Sequence, residues 1–268
     1  MTAILVSRED RGPVAVLTLN RPQQRNALSR ALMAQLRDAV DQLSVDFKIR
    51  VVVLTGAGPA FCSGMDLKEA AAIDASPEAE PETIATIQEF ADLIQRLHTL
   101  PKLTIAAVNG DALAGGAGLM AACDLAIAAE TSRIGYPEVR RGLVPAVVMH
   151  DLWRQIGDRR VRELLLGGGL ISSKTAHAWG LVNTVTTADR CLDEAVGVAE
   201  SLLECAPLAL ATTKRLLDEV MGRPHDLRGA AAISAAIRSS EEAREGIRAF
   251  VDKRRPHWAR PVSEETAP

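Results

Sequence analysis

The chain has 268 residues, enough for one large domain or two modest ones and for a core that needs no disulfide or metal. Hydrophobic residues make up 47% and charged residues 24%, which excludes a mostly disordered chain. A net charge of −3 and an aromatic set of three Trp, one Tyr and four Phe argue against nucleic acid as a partner, since there is neither a basic field nor a supply of stacking rings.

Ile4-Leu5-Val6 predicts the opening of a strand, Arg11-Gly12-Pro13 a turn, and Val14 to Leu19 a second strand. Arg21-Pro22 breaks it. Asn26 or Ser29 then caps a helix whose apolar positions are Leu32, Leu36, Val40 and Leu43. Ile49 to Leu54 is a β-branched run suited to a strand buried on both faces, ended by a turn at Thr55 to Pro59. Residues 74 to 82 read as an acidic, proline-bearing loop before a helix over Thr83 to Leu100. Leu103 to Val108 is another buried strand, turned by Asn109-Gly110. Gly115, Gly116 and Gly118 open an alanine-rich helix ending near Cys123, and Asp124 to Ala129 is a further strand. Val161 to Leu166 and Ser173 to Trp179 read as helical, as does the chain from Leu192 to about Arg255, so the last third is expected to lack strands. A strand, a glycine turn and a short helix recur at Val51 to Leu67 and at Thr104 to Ala122, which points to an α/β chain with parallel strands.

The least charged stretch, Leu103 to Ala129, is broken by Asp111, Asp124 and glycines, so it reads as core rather than a membrane span. Arg8, Glu9 and Asp10 interrupt any apolar leader at the N-terminus. Cys62, Cys123, Cys191 and Cys205 lack paired spacing and read as reduced thiols of a cytoplasmic protein. His98, His177, His225 and His257 are scattered, without the spacing of metal ligands, and no metal is expected.

Three segments carry candidate chemistry. In Phe61 to Leu67, small residues precede a polar helix start, so a backbone N–H near Met65 can point outward. In Gly115 to Leu119, glycines allow close backbone approach, and the following helix offers unpaired N–H groups at the positive end of its dipole. Two such N–H groups, one per loop, can bind an oxyanion; glycines that merely turn or pack closely are the other reading. The third segment is Gly135 to Val139. A carboxyl in apolar surroundings has a raised pKa and can act as general acid and base, but Glu138 can equally be a surface residue paired with Arg140 or Arg141.

Taken together, from about Ile4 to Arg260, the chain resembles the crotonase (enoyl-CoA hydratase/isomerase) family. The matching pieces are Leu19-Asn20-Arg21-Pro22 with Asn26-Ala27-Leu28, Phe61 to Glu69, Val108-Asn109-Gly110, Gly115-Gly116, Cys123-Asp124, Pro137-Glu138, Gly142-Leu143-Val144-Pro145, Ala178 to Val182 and Glu245 to Phe250. The resemblance implies an α/β fold, a spiral of ββα units with a helical C-terminal region. It implies residues 1–195 as the core with the acyl-CoA site, and 196–268 as an oligomerising, coenzyme A-capping region. It implies homo-trimers or hexamers, and a coenzyme A thioester as substrate with no separate cofactor, no nucleic acid and no membrane.

The family's oxyanion hole then falls on the N–H groups of Met65 and Gly115, with Glu138 as acid and base. Ser63, Asp66, Leu67, Lys68, Gly116 and Gly118 line the substrate with Met65, and Arg25 and Lys68 face the coenzyme A phosphates. The Arg244 to Arg260 segment, with six basic and two acidic residues, lies either near those phosphates or on a solvated helix face. The 74–82 loop and the helix after it are expected to shape the acyl pocket.

The sequence departs from the pattern at one place. The family's hydratases use two glutamates, and the first position here is Gly118. A single glutamate suffices to move a proton between C2 and C4, so double-bond isomerisation is favoured. Segments resembling branched-chain glutaconyl-CoA hydratases, which also carry glycine there, keep hydration open. Asp111 and His150 are the other candidates for the missing acid. Thioester hydrolysis and acyl-CoA binding without catalysis are the readings from other classes.

Overall fold

Backbone alternation shapes the centre of the protein. In a computed structural model, which describes residues 3–75, 77–149, 152–205, 207–220, 231–232, 235–236, 238–254 and 256, the chain opens with an antiparallel pair, β1 (Val6–Arg11) and β2 (Val14–Leu19). Helix α1 (Arg30–Val45) leads into β3 (Val51–Gly56) and β4 (Ala60–Cys62), then α2 (Leu67–Asp74) and α3 (Ala79–His98). Next come β5 (Leu103–Val108), β6 (Asp111–Leu113) and α4 (Gly115–Ala121), then β7 (Leu125–Ala129), β8 (Arg133–Gly135), a 3-10 turn over Pro137–Arg141 and α5 (Leu152–Gly167). The chain continues with β9 (Leu170–Ser172), α6 (Ser173–Trp179), β10 (Thr184–Thr186), α7 (Cys191–Ser201), α8 (Pro207–Val220) and α9 (Glu241–Val251).

Two sheets result, ordered β1-β2-β3-β5-β7-β10 and β4-β6-β8-β9. The pairs β3/β4, β5/β6 and β7/β8 each put one strand in the large sheet and the next in the small one before turning into helix. This is the expected ββα spiral, with a third turn beyond the two visible in the sequence. In the large sheet Val14, Val16, Val51, Val53, Ile105, Ala107, Ile127 and Ala129 face α7, through Cys191, Ala195, Val196 and Ala199. Their neighbours Ala15, Leu17, Val52, Leu54, Ala106 and Val108 face the larger core, which includes Leu32, Leu36, Leu93 and Leu97 of α1 and α3. Burial on both faces explains the unbroken apolar runs.

Three readings change. The loop at 74–82 is shorter than expected because α3 begins at Ala79. Glu80 and Glu82 favour the positive end of the helix, and Pro81 stands in the first turn, where a missing N–H costs nothing. The last third holds one strand, β10, whose three residues are too few to show a period. The helix cap is Ser29, whose Oγ accepts from the Leu32 N–H at 3.2 Å. Asn26 does other work. It is fully buried at φ 56°, its Oδ1 accepts from the Arg21 N–H at 2.9 Å, and its Nδ2 reaches the carbonyls of Ala57, Ala60 and Phe61 at 3.0, 2.8 and 3.2 Å.

Cys62, Cys123 and Cys191 are buried free thiols, and Cys205 is an exposed one. No single helix among the described residues is long and apolar enough to cross a membrane.

Replacing Asn26 by Ala strands those carbonyls in the interior and leaves a side chain ill suited to positive φ. The expected loss in denaturant unfolding is about 2–4 kcal/mol.

Candidate active site

β4, β6 and β8 run parallel and adjacent, with Cys62 beside Ala112, Ala112 beside Ile134, and Leu113 beside Gly135. Parallel strands release their loops at the same edge, so Ser63-Gly64-Met65, Ala114-Gly115 and Tyr136-Pro137-Glu138 emerge side by side. That edge is where ligands bind in parallel α/β sheets. The Ala114 N–H donates to the Gly135 carbonyl at 2.8 Å, and the Tyr136 hydroxyl donates to the Ala117 carbonyl at 3.2 Å.

The first loop is held as a short parallel bridge to Leu28. The Leu28 N–H donates to the Gly64 carbonyl at 2.8 Å, and the Asp66 N–H donates to the Leu28 carbonyl at 3.1 Å. Extended backbone alternates, so the Met65 N–H between them points the other way and has no acceptor among the described residues. Gly64 stands at φ 88°. A Cβ there would lie 2.9 Å from the Ala114 Cβ and 3.2 Å from the Gly115 nitrogen, so the two loops touch. Gly115 is the first residue of α4, and its N–H also lacks an acceptor among the described residues. The residue before it, Ala114, is held at φ 50° and ψ −122°, a strain on the order of 1–3 kcal/mol in a non-glycine residue.

Glu138 is the second residue of the 3-10 turn and is not a surface glutamate. Its Oε2 is sealed from solvent without a hydrogen-bond partner among the described residues, and neither Arg140 nor Arg141 forms an ion pair with it. Burial raises its carboxyl from the ordinary 4.5 to about 7, against smaller opposing pulls from its own backbone N–H and the Arg141 charge.

Gly118 faces Val148. A Cβ at 118 would lie 2.5 Å from the Val148 Cγ1 and 3.0 Å from its Cβ, so the place of a longer side chain is already filled. Gly116 is a packing residue, since a Cβ there would lie 2.2 Å from the Cys62 carbonyl oxygen. The close-packing reading of the glycine cluster is therefore right for Gly116 and Gly118. The Gly118 N–H is taken by the Ala114 carbonyl at 3.0 Å, whereas those of Gly115 and Gly116, in the uncapped first turn, have no acceptor among the described residues.

The remaining candidates divide. Asp66 caps α2 by accepting from the Lys68 and Glu69 N–H groups, and its Oδ2 takes both Arg21 terminal nitrogens at 3.0 Å. It braces the Met65 loop rather than facing solvent. Leu67 begins α2, and Ser63 lies on the loop between β4 and the bridge. Lys68 is exposed and has no carboxylate partner among the described residues. Arg25 is half exposed, but its Nη2 is held by Asp111 Oδ2 at 2.7 Å. Asp111 also binds Arg133 at 2.6 Å, and despite its burial these partners hold its carboxyl below the usual range, which unsuits it as a proton donor. His150 lies outside the described residues, as do His225 and His257. Among the described residues no cluster of His, Cys, Asp and Glu could hold a metal.

Sequence reasoning missed the Arg21–Asp66 bridge, the Val148 contact and the strain at Ala114. Only Arg21 and Asp66 left a trace, as members of two matching motifs.

Residues 9–261 match the family model described as Enoyl-CoA hydratase/isomerase. A candidate enoyl-CoA hydratase of Thermus thermophilus is 42% identical over 252 residues, 93% of this chain and 98% of the relative. The 2,3-dehydroadipyl-CoA hydratase of Escherichia coli is 35% identical over 262 residues, 96% of this chain and 99% of the relative. A crystal structure of an enoyl-CoA hydratase/isomerase from Mycobacterium paratuberculosis matches with a TM-score of 0.84 at 28% identity, covering 92% of this chain and 98% of that one. The chain belongs to the enoyl-CoA hydratase/isomerase, or crotonase, family of enzymes.

Two outcomes follow from this geometry. Gly118→Ala loses about 1–3 kcal/mol to overpacking although alanine is the better helix former, and Val148→Ala in the same chain recovers part of that loss. A double-mutant cycle in denaturant checks the coupling. For Glu138, the folded chain keeps its proton up to about pH 7 while the unfolded chain loses it near 4.5. Stability contributed by this group therefore falls as pH rises between those values and is level above them. The melting temperature of Glu138→Gln relative to the unmodified protein is expected to climb between about pH 5 and about pH 8, measured by calorimetry.

Proposed function

We propose that the enzyme isomerises the double bond of an enoyl-CoA thioester with Glu138 as its single acid and base. Ionised Glu138 removes a proton from C2 of a 3-enoyl chain. The pair of electrons released moves onto the thioester oxygen as a dienolate, which the N–H groups of Met65 and Gly115 stabilise. Glu138, now protonated, returns the proton at C4, and the double bond moves from C3–C4 to C2–C3. A carboxyl raised to about 7 suits both halves of this exchange near neutral pH. One observation carries the choice of one glutamate over two: Val148 lies against Gly118, where the family's hydratases place their first glutamate.

In this reading Lys68 meets the coenzyme A phosphates before Arg25 does, because Asp111 already engages Arg25. Residues 196–268 cap the nucleotide and join copies of the chain as trimers or hexamers. A second reading, hydration, draws support from the hydratase names of the relatives in Thermus thermophilus and Escherichia coli.

Purified enzyme is incubated with a 3-enoyl-CoA and with crotonyl-CoA, and products are followed by chromatography and mass. Conversion of the 3-enoyl to the 2-enoyl isomer without mass change is expected, with Glu138→Gln slower by about a hundred- to ten-thousand-fold. A product heavier by one water replaces isomerisation with hydration, and release of free coenzyme A assigns thioester hydrolysis.

A further inference from the structure

Arg141 is half-buried, and even partial withdrawal of a guanidinium from water is costly. It ends the 3-10 turn that holds Glu138, and burial pulls its proton affinity below the ordinary arginine range. Yet it has no carboxylate ion pair among the described residues. Its Nη1 donates to the Pro137 carbonyl at 3.2 Å, and its guanidinium carbon lies 4.7 Å from the centre of the Phe250 ring on α9. A withdrawn cation keeps its charge only where carbonyls, π faces or an opposite charge answer it. Glu138 stands three residues before Arg141 on the same 3-10 turn, and its charge opposes the effect of burial on the guanidinium.

We propose that Arg141 is a positioning residue for Glu138, clamped between the Pro137 carbonyl and the Phe250 ring so that its charge stays near the buried carboxyl without contacting it. Contact would lock Glu138 as a permanent carboxylate, unable to hold a proton between two carbons. Removal of the charge would raise the carboxyl further, since its pull opposes the effect of burial.

The surroundings support this division of labour. Arg140 turns away, its Nε donating to the Gly167 carbonyl at 3.0 Å. On α5, Arg154 lies over the Trp153 ring at 5.6 Å. On α9, Arg244 and Arg248 carry charge, and Glu245 is taken by Arg254 at 2.7 Å. None of these acts on Glu138 as Arg141 does. Helix α9 can reach the turn because position 246 is glycine, where a Cβ would lie 2.0 Å from the Arg141 carbonyl oxygen.

The catalytic consequence rests on the single-glutamate reading, but the coupling is testable without turnover. Enzyme labelled with ¹³C at its glutamate carboxyls is titrated by NMR, with Glu138→Gln identifying the resonance. The Glu138 midpoint is expected to rise by about one pH unit in Arg141→Leu, to return most of the way in Arg141→Lys, and to rise by less in Phe250→Ala. An unmoved midpoint in both Arg141→Leu and Phe250→Ala overturns the proposal. Should Arg141→Leu fail to fold, Phe250→Ala and Phe250→Leu decide it, since both keep the charge and loosen only the clamp. The acid limb of the isomerisation rate is expected to follow the midpoint. A midpoint that moves while the limb stays fixed upholds the coupling and refutes Glu138 as the acid and base.

Discussion

The parallel register of β4, β6 and β8 places the three loops of the candidate site. Because these neighbours point the same way, their loops leave at one edge, and residues distant in sequence meet there: Met65, Gly115 and Glu138. The contact is tight enough that no side chain is tolerated at Gly64 or Gly116. The strain at Ala114 belongs to the same constraint. The chain must turn sharply from β6 into α4 while its N–H remains bonded to the Gly135 carbonyl, and the result is a helix start whose first N–H stays free.

Much of what marks the family in this chain is architecture rather than chemistry. Asn26 satisfies carbonyls of the β3–β4 turn, and Asn109 accepts from the Gly56 N–H at 3.2 Å while donating to the Gly58 carbonyl at 2.9 Å. Asp66 caps α2 and holds Arg21. Asp124 accepts from the Thr104 N–H at 2.8 Å and from Lys214 at 2.8 Å, tying α8 to the large sheet. A spiral that crosses repeatedly between two sheets leaves backbone groups unpaired at each corner. Short polar side chains close those corners because an unpaired buried polar group costs more than the hydrogen bond itself contributes.

At the site the balance is reversed. Glu138 Oε2 is buried and has no partner among the described residues, a cost the surrounding fold offsets. Arg141 is half-buried with no ion pair among the described residues and rests on the Phe250 ring of α9. Gly118 is covered by a valine rather than facing a second carboxylate. Glu138 and Arg141 share one 3-10 turn, and a buried acid left unsatisfied is the pattern expected where a group must hold and release a proton.

Strand runs such as Val14–Leu19 and Leu103–Val108, the helix Ser173–Trp179 and the family itself were legible in the sequence, because burial on two faces and ordered motifs leave a direct residue pattern. So was Glu138 as a candidate, through its apolar neighbours. The three-residue strands β4, β6, β8, β9 and β10 were not, since their stability comes from partners across the sheet and not from local preference. Nor could the sequence decide between packing and function for the glycines, or between a surface pair and a buried acid for Glu138. Those outcomes depend on what lies opposite in space: Val148 against Gly118, the Cys62 carbonyl against Gly116, and Phe250 behind Arg141. Local pattern determines which elements form, and only the tertiary packing decides which side chains lose their water.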